Sequence, residues 1–86
     1  MPYIKQKERD ELMNLLIKVL DMPADNAGQL NYVITLVVIS YLNKHGKKYQ
    51  TMNDIVGALE GAKAEFQRRV VAPYEDEKIR QNGDVY

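Results

Sequence analysis

Residues 30–42 read Leu30-Asn31-Tyr32-Val33-Ile34-Thr35-Leu36-Val37-Val38-Ile39-Ser40-Tyr41-Leu42, ten apolar or aromatic side chains in thirteen positions. The β-branched residues suit a buried strand. Length argues the other way, because strands usually run to about 4–8 residues and no turn former interrupts this run. Asn31 and Thr35 stand at i and i+4, and Gly46, after Lys44 and His45, suits the residue just past a helix end. The pattern predicts a central helix over 28–45, apolar most of the way round because neighbours cover it on several sides. A strand pair is the alternative.

On the N-terminal side, Leu12, Leu15, Leu16, Val19 and Leu20 follow the charged segment Lys5–Arg9 at spacings of three and four. One helix over about 5–21 is expected, ending before Pro23, with turn formers and possible caps in residues 23–28. On the C-terminal side, the basic connector 46–50 leads to Thr51-Met52-Asn53-Asp54, which resembles a capping box with Thr51 as N-cap. A third helix over 52–71 comes next, with Ile55, Leu59, Ala62, Phe66 and Val70 as its apolar stripe. Gly57, Gly61 and Ala64 run beside that stripe, and two interior glycines cost roughly 1 kcal/mol each relative to alanine. Close approach of another helix is the expected reason. Pro73 should break this helix and open a short fourth one, 73–81, with Glu75, Asp76 and Glu77 at its positive end and Asn82-Gly83 as its stop.

The expected fold is all-α: a single helical domain over 1–86, made of three main helices and a short C-terminal helix. Eighty-six residues leave no room for a second core. So small a chain with no cysteine often gains stability by oligomerising, so a homo-oligomer is expected. Twelve basic and twelve acidic residues cancel, which gives nucleic acid and anionic membranes no bulk attraction. Neither a signal peptide nor a run of about 20 apolar residues is visible, and the expected location is the cytoplasm.

The parts for catalysis are scarce. Ser40 is the single serine and lies in the apolar run, and His45 is the single histidine, on a basic turn. No phosphate-binding glycine loop and no calcium-loop spacing occurs. The expectation is a protein that is not an enzyme, with no cofactor and no metal.

Position makes the C-terminal region the candidate binding site. Arg68 and Arg69 close the third helix, Tyr74 stands at the bend, and Lys78 lies on the next helix. Guanidinium forks suit phosphate oxygens and a tyrosine face suits a base. The bland reading pairs the arginines with Glu65 and the acids of 75–77. The tail adds Asn82, Asp84 and Tyr86, provided that it folds back towards the arginines, with Asp84 holding one of them.

The residues Leu30–Thr35, the segment Glu65–Ile79 and the closing Asn82-Gly83-Asp84-Val85-Tyr86 resemble a family of uncharacterised proteins of about this length, found in phages and bacteria. The resemblance runs from Met1-Pro2-Tyr3-Ile4 through the tail. It implies a small accessory protein, in which the tail is more than a frayed end, and it transfers no catalytic residue. Proteins of that kind bind a host protein or sequester a small molecule, including nucleotide signals of bacterial defence. The expected function is a non-catalytic oligomer that sequesters an anionic, nucleotide-like ligand through Arg68, Arg69, Tyr74, Lys78, Asn82, Asp84 and Tyr86. The alternative is an interaction module that docks on a host or phage protein.

Overall fold

The structure, a computed structural model, describes residues 3–86 and is helical throughout its regular elements. They are α1 (Gln6–Glu11), α2 (Met13–Leu20), α3 (Ala27–His45), α4 (Tyr49–Phe66), a π-helical turn (Gln67–Val71) and α5 (Ala72–Asn82). The chain divides into two compact units, 3–55 and 56–86, with the division falling inside α4.

In the unit 3–55, α3 resolves the ambiguity of the apolar run in favour of a helix. Its start is fixed by two side-chain acceptors. The Asn26 side chain accepts from the Gln29 N–H at 2.9 Å, and the Gln29 side chain accepts from the Asp25 N–H at 2.7 Å. The first bond satisfies a donor which helix geometry leaves without a partner, and the second ties the residue before the cap to the first turn. At the other end Gly46 adopts φ 90° and donates its N–H to the Leu42 carbonyl at 2.8 Å, a conformation in which any side chain would be strained. His45 lies in the last turn with its ring 4.2 Å from that of Tyr41, one turn back.

Three expectations need correction here. The N-terminal helix is two helices, because the backbone tightens at Leu12. The Leu12 N–H bonds to the Arg9 carbonyl and the Leu15 N–H to the Leu12 carbonyl, both three residues apart, which interrupts the α ladder. Thr51 is not an N-cap, since α4 already begins at Tyr49 and places Thr51, 3% exposed, inside its first turn. Asp54, its supposed capping partner, accepts instead from the Gln50 side chain at 2.7 Å. Finally, no other helix of the unit 3–55 packs on α3, and Tyr32 and Val37 are each more than 60% exposed. Among the described residues no apolar side chain is buried.

In the unit 56–86, α4 does not stop at Pro73 but passes through the π-helical turn into α5. The Ala72 N–H reaches the Gln67 carbonyl, five residues back. The widened turn inserts an extra residue just where the proline ring would meet the carbonyl one turn earlier, and where its missing N–H would break the ladder. Gly83, at φ 89°, ends α5 by donating to the Ile79 carbonyl at 2.8 Å. At Gly57 a Cβ would meet nothing within 4 Å in this chain.

Candidate functional site

The C-terminal groove is built from α5 and the five residues after Gln81. In α5, Tyr74, Lys78 and Asn82 recur every four residues and so share a face, with Glu75 and Ile79 beside them. The positive φ of Gly83 then turns the chain out of the helix. Asp84 shapes the last residues, because its side chain accepts from the Tyr86 N–H at 2.9 Å and holds the tail in a tight local turn. The result is an open groove of about 420 Å³ lined by Tyr74, Glu75, Lys78, Ile79 and residues 82–86.

The lining is mainly apolar and aromatic. Tyr74 and Tyr86 offer rings, and Ile79 and Val85 offer aliphatic surface. The Lys78 ammonium lies 5.4 Å from the Tyr74 ring centroid, within the range of a cation–π contact. Charge in the groove is one cation, Lys78, against the two carboxylates of Glu75 and Asp84. Elsewhere on α5, Arg80 is paired with Glu77, one turn earlier.

Of the seven residues singled out in the sequence, Tyr74, Lys78, Asn82, Asp84 and Tyr86 line the groove, whereas Arg68 and Arg69 do not. The arginines belong to the π-helical turn. Arg68 donates to the Glu65 carboxylate at 2.6 Å. Asp84 is engaged by the tail's own backbone rather than by an arginine, because a donor two residues away costs little chain entropy to reach. Sequence reading missed Glu75, Ile79 and Val85. The i, i+4 spacing of Glu75 and Ile79 beside Tyr74 and Lys78 was the signal for two of them.

A small all-helical protein with an open aromatic groove is the class these features define. The chain belongs to the family described as a domain of unknown function (DUF6899), whose pattern matches residues 1–85. No curated protein and no solved structure matches it. Among the described residues no helix is long and apolar enough to cross a membrane.

Proposed function

We propose that the chain is a non-catalytic interaction module whose C-terminal groove takes a segment of a partner protein, one with an apolar anchor flanked by lysine or arginine. The observation that carries this reading is the charge in the groove. A nucleotide brings one or more phosphate charges into a lining where two carboxylates outnumber one ammonium, and like charges at close range cost binding energy. A basic segment meets the opposite balance. Aromatic rings and an isoleucine surface supply what an apolar anchor needs, and an open groove suits an extended chain. The resemblance to small phage and bacterial proteins supports an accessory role of this kind, with a host or phage protein as the target.

Sequestration of an anionic, nucleotide-like ligand is the second reading. It is favoured by the pairing of Lys78 with the Tyr74 ring, which presents a base-stacking face beside a cation. It would have to recruit Arg68 and Arg69 from outside the groove.

Fluorescence anisotropy separates the two. Labelled peptides carrying a leucine or phenylalanine flanked by lysines, the same peptides with aspartates, and a panel of cyclic and linear nucleotides are each titrated with the full chain and with the chain lacking residues 82–86. The lysine peptides should bind, more weakly at high salt, and the truncated chain should lose them. Binding of a nucleotide with no binding of any peptide would overturn the reading.

A further inference from the structure

We infer that the corner between α3 and α4 binds single-stranded nucleic acid, through its phosphates and through stacked bases. The inference does not depend on the C-terminal groove. It rests first on how charge is distributed along the chain. The total is neutral, but residues 26–53 contain Lys44, Lys47 and Lys48, with His45 among them, and no acid. Asp25, the nearest acid before them, precedes α3, whose 19 residues span about 28 Å. Asp54, the nearest after them, is engaged by the Gln50 side chain at 2.7 Å. Among the described residues none of the three lysines forms an ion pair.

The second observation is how the corner is built. Gly46 ends α3 at φ 90° and α4 starts at Tyr49, so the connection is short. The Lys48 side chain folds back over it, since a Cβ on Gly46 would lie 3.8 Å from its Cε. That brings Lys48 beside the last turn of α3, which holds Lys44 and His45. The His45 ring lies 4.2 Å from that of Tyr41, and Tyr49 opens α4. All of these contacts are local to the unit 3–55, and the three lysines and Tyr49 are exposed within it.

Helix electrostatics accounts for only part of the cluster. Lys44 and His45 suit the negative end of α3, but Lys47 and Lys48 stand at the positive end of α4, whose first turn has no acid. Cations placed there oppose the helix dipole, which leaves a bound anion as their use. Cations interleaved with aromatic rings suit a single strand, because lysines follow the phosphates and each ring stacks on a base without reading its identity. An anionic membrane is less well matched, since the rings alternate with cations over one tight turn instead of lining the apolar face of a helix. A single nucleotide brings too few phosphates to engage the three lysines together and gains little.

Labelled oligothymidylate and oligouridylate strands of about 20 nucleotides, titrated with the full chain by anisotropy, test this. Both should bind, and log affinity should fall against log salt with a slope of about −2, from three lysines at about −0.7 each. The double variant Lys47→Gln/Lys48→Gln should bind several-fold more weakly at low salt, with a slope of about −0.7. Circular dichroism should show its helix content unchanged, as the glutamines relieve α4 of charges that oppose its dipole, and where it does not fold, the wild-type slope decides. Tyr49→Ala should lower affinity several-fold with the slope unchanged, since a stacked ring releases no counterions. The chain lacking residues 82–86 should bind as the wild type does. No binding of either strand by the wild type, binding that the folded double variant keeps in full, or sedimentation with phosphatidylglycerol vesicles in place of strand binding would overturn the inference.

Discussion

The ammonium of Lys78 stands 5.4 Å from the centre of the Tyr74 ring, one turn away on α5. The pair puts the groove's single cation against an aromatic face, leaving Glu75 and Asp84 to set the sign of the remaining lining. Geometry that local arises from an i, i+4 spacing on one helix. Which ligand the pair favours depends on that ligand's charge, and so it discriminates between readings.

Asp84→Ala removes the acceptor for the Tyr86 N–H and releases the tail turn. Because α5 ends at Asn82, before this bond, global stability should change by less than about 0.5 kcal/mol. Affinity for a lysine-flanked peptide should nevertheless fall several-fold by anisotropy, as the tail must then be ordered on binding and a carboxylate is lost.

Arg68→Ala and Arg69→Ala should leave groove binding unchanged, since both side chains lie outside it. In the Arg68–Glu65 pair the guanidinium is 65% exposed and the carboxylate 19%, and i, i+3 pairs on a helix surface contribute about 0.2–0.5 kcal/mol. Chemical denaturation of Arg68→Ala should show a loss of about that size or larger, because the Glu65 carboxylate is left poorly solvated.

Asn26→Ala should cost about 1 kcal/mol, because the Gln29 N–H loses its acceptor at the start of α3. Restoring an acceptor with Asn26→Asp or Asn26→Ser should recover most of it in the same denaturation experiment.

Two glycines should respond with opposite signs. Gly46→Ala forces a side chain onto φ 90° and should destabilise by about 1 kcal/mol. Gly57→Ala meets open space in a helix interior and should stabilise by up to about 1 kcal/mol. A loss at Gly57 would show that another helix packs against it.

The helical class was legible because a run of thirteen residues is too long for a strand, whatever its β-branched content. Gly46 and Gly83 were readable as helix ends for the same local reason, that few other residues tolerate their φ. Three things were not legible. A π-helical turn costs the sequence nothing visible, so Pro73 read as a break when one inserted residue lets the helix continue. Asn26 caps α3 through the Gln29 N–H, the bond expected of Thr51 towards Asp54, and both pairs have the same spacing. Five of the residues singled out, on α5 and the tail, line one groove because helix periodicity and chain adjacency place them together. The arginines were grouped with them on charge chemistry alone, and they lie on the π-helical turn, outside the groove lining.

Titrating Lys78→Gln beside the wild-type chain, with the lysine-flanked peptide and with the nucleotide panel, tests the central claim most directly. Removing the one cation leaves the groove more acidic, so peptide affinity should hold or rise a few-fold and its salt dependence steepen. Nucleotides should bind neither protein. Nucleotide binding by the wild type that Lys78→Gln abolishes, together with no peptide binding by either, would contradict the account.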